Sequence, residues 1–261
     1  MLISIVLAIA YLCLFGVGVS HIAESSLRFM VPDLYNVLYT QVLTFGLYLG
    51  GFIVSFLAVF SAAGSISSEI ETGVIQAVIT KPIRRRDYIL GRFFGLALFM
   101  TIFAALFFGV ILLIMKLKTG LILQNTWPAM GLFALQPVVL LAVTILGSVL
   151  LPTVANGVLM FMLYMVAVIG GFIEQIGWLI YHYGLQTAGI ITSLIMPTDA
   201  LYRKMVHLLI NPAGSTLGTM MEMGPFGSLI EPSVWMLVYT FIYIVFFIFL
   251  STYVFTRKDI A

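Results

Sequence analysis

The chain is short of charge. Lys, Arg, Asp and Glu make up 8% of its 261 residues, against 62% hydrophobic residues. Soluble domains carry about 25% charged residues, and a folded surface still needs polar cover. This shortage excludes a soluble enzyme, a disordered protein and a nucleic-acid module. A formal net charge of +2 sets up no field for a polyanion. Cysteine is nearly missing: Cys13 is the only one, so no disulfide, zinc cluster or redox pair can be built within the chain. His21, His182 and His207 are far apart and lack metal-ligand spacing. There is no H-E-x-x-H and no G-x-S-x-G, so no catalytic residue is assigned. The absence of G-x-x-x-x-G-K-[ST] means that this chain cannot hydrolyse ATP by a P-loop.

Also absent is the alternation, in segments of about ten residues, that marks a membrane β-barrel. The sequence has continuous apolar runs instead. A helix crosses the bilayer core with about 20 mostly apolar residues. Six runs qualify, near 1–20, 41–62, 88–115, 129–151, 154–172 and 234–255. The expected fold is an all-α polytopic membrane protein, one membrane domain over 1–261 with about six transmembrane helices. The first run has no basic residue before it and no convincing cleavage site, so it reads as a true span rather than a signal peptide.

Lys and Arg set the orientation. Lys81, Arg84, Arg85, Arg86 and Arg92 cluster around one loop, and Arg257 and Lys258 lie at the C-terminus. The opposite loops hold Arg28, Lys116 and Lys118, plus Arg203 and Lys204 deep in a long segment. Both termini and the 62–87 loop are therefore expected in the cytoplasm, with the chain multi-pass in the cell (inner) membrane. Trp127, Trp178 and Trp235 each fall beside an expected outer end, where an amphipathic indole belongs.

The span interiors contain no ionisable group beyond Arg92, which can snorkel from the first turn of the third span. Ion-coupled carriers keep such groups in their spans, so nothing here is expected to draw on an ion gradient. Gln136, Thr144 and Tyr164 are the candidates for a substrate path; their plainer role is helix–helix hydrogen bonding. Pro137, next to Gln136, frees a backbone carbonyl one turn before it. Gly46-x-x-x-Gly50 and Gly91-x-x-x-Gly95 fit close helix packing, either within the chain or at a dimer seam. The 174–233 segment is too apolar for a free loop and is expected to be re-entrant or interfacial on the outer side. Pro197-Thr198-Asp199 would start a short helix there. Leu201, Met205, Leu208 and Leu209 would line one face, with Arg203, Lys204 and His207 facing water or headgroups.

The loop between spans two and three holds more pattern than a connector needs. Ser68-x-x-Glu71 fits a capping box, and Glu69 and Glu71 suit the first turn of a helix. Ile70, Val74 and Val78 follow at helical spacing, with Ile75 and Ile79 beside them. Lys81-Pro82 ends the run, the arginines follow, and Asp87 is placed to cap the third span. An amphipathic helix here either only joins two spans or plugs into a soluble partner.

The ordered residues Glu69, Glu71, Gly73 and Ile75, then Thr80, Pro82 and Arg85, then Leu90, Gly91, Arg92, Phe93 and Gly95 carry a resemblance. They look like the signature of ABC-2-type permeases, the membrane subunits of ATP-binding cassette exporters. The resemblance implies a coupling helix between spans two and three, seated in a groove of a cytoplasmic P-loop ATPase subunit. Glu69, Glu71, Gly73, Ile75, Pro82, Arg84 and Arg85 would form that contact. Glu69 and Glu71 would face basic or N–H groups of the partner, and Gly73 would allow close approach. It further implies two ATPase subunits holding ATP and Mg, no cofactor in this chain, and a second permease copy, identical or related, in contact with membrane lipid. The sequence departs from the pattern in lacking a basic amphipathic helix before span one and in having Val74 where a threonine is common. The readings that compete with an ATP-driven exporter are a non-transporting membrane scaffold and an energy-independent carrier or channel.

Overall fold

The computed structural model describes residues 2–26, 32–74, 84–121, 123, 125–210, 226, 227 and 231–257. Six long helices run back and forth: α1 (Leu2–Ser26), α2 (Pro32–Ala63), α4 (Arg85–Thr119), α5 (Thr126–Leu150), α6 (Thr153–Leu179) and α9 (Trp235–Arg257). A five-residue helix, α3 (Ser67–Glu71), follows α2, and two shorter ones, α7 (Tyr183–Ile195) and α8 (Thr198–Ile210), follow α6. No strand occurs among the described residues. All six long helices are long and apolar enough to cross a membrane. The end where α2 meets α3 also carries Arg84, Arg85, Arg86 and Arg257, and is called the basic end below. Trp127, Trp178 and Trp235 lie together at the opposite end, as their spacing predicts.

The helices overrun the expected apolar runs by several residues, because polar residues at the membrane boundary extend a helix without lengthening its hydrophobic stretch. The hub is α5. Its face is buried against α2, α4, α6, α8 and α9, and 72% of its spanning window is enclosed, against 11% for α1 and 22% for α9. Apolar side chains such as Leu14, Leu106, Phe241 and Phe249 point outward, as a lipid solvent permits. Lipid supplies no hydrophobic drive between helices, so close contact does the work. Gly46 lies against the Phe15 ring, and a Cβ on Gly50 would sit 2.7 Å from Phe107. This glycine pair therefore packs within the chain. Gly91 and Gly95 have open space in front of them.

The segment after α6 folds back into the bundle as a helical hairpin. α7 descends antiparallel to α6, with Gly189 against Glu174 and Gly170, and Thr192 against Gly170. The chain turns at Met196 and Pro197, and α8 climbs back until Asn125 meets the Leu208 carbonyl. The turn reaches the level of Gly171, which lies about 12 Å along α6 from its end, at a rise of about 1.5 Å per residue. Backbone groups at that depth need partners inside the protein. The Tyr239 and Tyr243 hydroxyls of α9 supply them, donating to the Leu194 and Ile195 carbonyls at the end of α7. Tyr202 on α8 likewise donates to the Thr44 carbonyl of α2 at 2.8 Å.

The segment after α6 is thus re-entrant, as one of the two expected alternatives had it. Leu201, Met205 and Leu209 pack inward as expected. Arg203 and Lys204 do not face water. Both are buried, at 4% and 5% exposure, because α8 is enclosed on every side and its cations meet carboxylates of this chain. The expectation that the membrane interior holds no ionisable group fails for the same reason: the hairpin brings Asp199 in from outside the spans.

Candidate functional site

The basic end is built around α3. The expected capping box is not formed: Ile66, with no side-chain bond of its own, occupies the N-cap position, and Ser68 Oγ donates back to the Gly64 carbonyl. The cap comes from a different helix. Ser148 Oγ, buried near the end of α5, accepts from both Ile66 N–H and Ser67 N–H at 3.0 Å. A donor pair at a helix start needs an acceptor, and here the tertiary fold supplies it.

Around this point a compact polar knot joins four helices. Ser67 Oγ meets Thr153 Oγ1 at 2.8 Å. Asn156 Nδ2, wholly buried, donates to the Ala63 carbonyl of α2 at 3.1 Å and to the Thr144 carbonyl of α5 at 3.0 Å. Glu71 accepts from the Thr153 N–H at 2.9 Å, placing a carboxylate on the N-terminus of α6, where the helix dipole favours it. Glu69 accepts from the Tyr88 hydroxyl and pairs with Arg92 at 3.0 Å, and Arg92 also donates to the Ser65 carbonyl at 2.8 Å. Tyr88 stacks on Phe255 of α9. The helix α3 is therefore fastened to α2, α4, α5 and α6 at once.

The chain leaves α3 through Gly73, whose φ of +74° only glycine adopts without strain. α3 itself ends at Glu71, and the expected helix beyond residue 74 lies outside the described residues. Ile75, Thr80 and Pro82 lie outside the described residues. Thr72, Gly73 and Val74 are exposed, as are Arg84 and Arg86, while Arg85 is half-buried. Arg84, not Asp87, is the N-cap of α4; Asp87 sits in its first turn, where it complements the dipole. The structure thus brings Glu69, Glu71 and Gly73 together in one small knee. Both carboxylates bond this chain's own donors, Glu69 half-buried and Glu71 exposed, and Thr72–Val74 are exposed beside them.

The three candidates for a substrate path separate. Gln136 and Tyr164 line one small cavity together with Tyr48, Thr198, Asp199 and Tyr202. Thr144 does not join them; its hydroxyl donates to the Leu140 carbonyl at 2.6 Å, within its own helix. Beside that cavity, Arg203 bonds Glu174 at 2.7 Å and lies 2.9 Å from Asp199. Lys204 bonds Glu231 at 3.0 Å, and that bond holds the Glu231 carboxyl below its usual range. The residues that sequence reasoning passed over are Ser148, Thr153, Asn156 and Asp199. A visible signal was the run of polar residues in the short stretch 144–156, at the turn between two spans.

A model of the ABC-2 family transporter proteins matches residues 35–260. The chain belongs to that family. With its six apolar helices, it is a multi-pass membrane protein and a permease component of an ABC transporter. No curated protein matches the chain. Within this ABC-2 permease, the described part of the knee ties α3 to the ends of α4, α5 and α6 through Arg92, Ser148 and Thr153.

Proposed function

We propose that this chain is the permease subunit of an ATP-driven exporter, a single membrane domain over 1–261 in the cell (inner) membrane with both termini cytoplasmic. Its knee seats on a separate cytoplasmic P-loop ATPase subunit, which binds ATP and Mg and performs the hydrolysis. A second permease copy completes the pathway, and membrane lipid surrounds both. ATP binding closes the two ATPase subunits and draws the knees together, and the spans rock to change which face the path opens on.

The observation that carries this reading is the attachment of α3 to four helices, through the Ala63 carbonyl of α2, Arg92 of α4, Ser148 of α5 and Thr153 of α6. A mere connector needs no such fastening. Thr72, Gly73 and Val74 are exposed, as are Arg84 and Arg86 at the same end, and these residues offer a surface to the ATPase groove. Glu69 and Glu71 act behind that surface by holding the knee in shape, and Ile75, Pro82 and Arg85 extend the contact.

The test is a cross-link. With Cys13→Ser removing the native thiol, Thr72→Cys is expected to be trapped by a thiol-reactive cross-linker on a co-expressed P-loop ATPase subunit of the same transporter, and ATP is expected to change the yield. A Thr72→Cys protein that never captures the ATPase in membranes where both are present overturns the reading.

A further inference from the structure

Asp199 is 6% exposed and lines a cavity of about 10 Å³ with Tyr48, Gln136, Tyr164, Thr198 and Tyr202. The cavity lies near the middle of the 25-residue α5 and the 27-residue α6, so it sits deep within the bundle. Four buried polar atoms lack a hydrogen-bond partner and belong to residues lining it: Tyr48 Oη, Gln136 Nε2, Thr198 Oγ1 and Asp199 Oδ2. They come from α2, α5 and α8. Orphaned polar atoms around a cavity of this size mark a place for one water molecule. Such a water accepts from the Gln136 amide and a hydroxyl, and donates to Asp199.

The charge balance here is uneven. Glu174 and Asp199 share one guanidinium, Arg203. Its Nε lies 2.9 Å from Asp199 Oδ2, yet neither atom is aligned for a hydrogen bond. Lys204 is taken by Glu231 and the Pro232 carbonyl, and the sequence from 211 to 230 contains no Lys or Arg. Among the described residues, the buried Asp199 and the half-buried Glu174 face one cation, which leaves one negative charge at the hairpin tip, an unfavourable state for a buried carboxylate. The other groups electrostatically linked to Asp199 are Tyr48 on α2, Tyr164 on α6 and Tyr202 on its own helix. From α5 comes only the uncharged Gln136.

We propose that this cavity is a proton-binding site, with one water among Tyr48, Gln136, Thr198 and Asp199 and one proton carried by the Asp199 carboxyl. The proton is taken from hydronium, leaving water, and forms an O–H bond on the carboxylate; no other reactant is consumed. It arrives from the opposite end, where a pocket of about 420 Å³ is lined by Glu174, Arg203, Glu231 and Trp235. Glu174 and Arg203 belong both to that pocket and to the ion pairs that reach Asp199. The proton state sets the charge of the hairpin tip, and so how firmly α8 is tied to α2, α5 and α6. The proposal stands independently of the coupling reading above.

The experiment is pH-difference infrared spectroscopy of the full-length chain in lipid nanodiscs, with aspartate carbons isotopically labelled. The wild type is expected to show a protonated carboxylic acid band from a buried aspartate that titrates with pH. Asp199→Asn loses this band. Glu174→Gln moves its midpoint to lower pH, because the remaining pair is already neutral. Gln136→Leu shifts its frequency, because the water loses a donor. The last two variants keep Asp199 and serve if Asp199→Asn does not fold. No labelled acid band at any pH, an unchanged band in Asp199→Asn, or an unmoved midpoint in Glu174→Gln overturns the proposal. So does a response to sodium at fixed pH without any response to protons, which would assign the charge to a metal ion.

Discussion

Glu71 and Thr153 meet at 2.9 Å across the basic end, the carboxylate of the knee accepting the first N–H of α6. The two residues are 82 positions apart in sequence, and the contact ties the α3 turn to the start of a membrane-spanning helix. Replacing Glu71 with Ala is expected to cost about 1 kcal/mol, the value of a lost helix cap. Glu71→Gln keeps an acceptor and costs less. Thermal unfolding of the detergent-solubilised protein ranks the two; equal losses would mean that the cap contributes only through its charge.

Asn156 is the centre of the polar knot. Asn156→Leu removes both of its amide bonds, although the Ala63 carbonyl keeps the Ser67 hydroxyl. Each lost bond costs about 0.5–1.5 kcal/mol. A marked fall in melting temperature is expected, with the basic end becoming accessible to protease first. A melting temperature within error of the wild type would show that the knot is not holding the helices.

The hairpin docks on α6 through glycine. At Gly189 a Cβ would lie 2.7 Å from both Glu174 Cα and the Gly170 carbonyl oxygen, backbone atoms that cannot rotate away. Gly189→Ala is expected to cost about 1–3 kcal/mol by overpacking. Gly131, in an exposed part of α5 with nothing within 4 Å, is the control; Gly131→Ala is neutral or slightly stabilising. Melting curves of the two variants separate these outcomes.

Arg203 is enclosed with Glu174 and Asp199. Arg203→Leu leaves the buried Asp199 and the half-buried Glu174 without their cation, an expected loss of about 3 kcal/mol. Adding Glu174→Gln and Asp199→Asn removes the charges that needed it, and the triple variant is expected to recover much of the folded yield on size exclusion. Failure of the triple variant to recover would mean that the guanidinium acts by packing rather than by charge.

Much of the fold was legible before any coordinates. Continuous apolar runs specify membrane helices because a backbone in lipid must satisfy itself, and basic residues and tryptophans mark the ends. The pattern of Glu69, Glu71 and Gly73 picked out the knee, and the face of Leu201, Met205 and Leu209 picked out the inward side of α8. Local rules failed at two places. Ser68 and Glu71 have capping-box spacing, but Ser148 from a helix 80 residues away offers the better acceptor, so Ser68 turns back to Gly64. Arg203 and Lys204 look like headgroup residues on a helical wheel, yet they are buried.

The apolar sequence by itself determined that this protein crosses the membrane six times and in which segments, since hydropathy over a single helix is a local property. It also determined which turn stands apart from the spans. Only the tertiary structure decided where the charges go. Asp199, Arg203, Glu174 and Glu231 come from three different stretches of chain, and whether a charge is exposed or paired depends on what folds against it. A re-entrant hairpin that carries a carboxylate to the middle of the bundle leaves no mark in any one span, because the partners that make its burial tolerable lie far away in sequence.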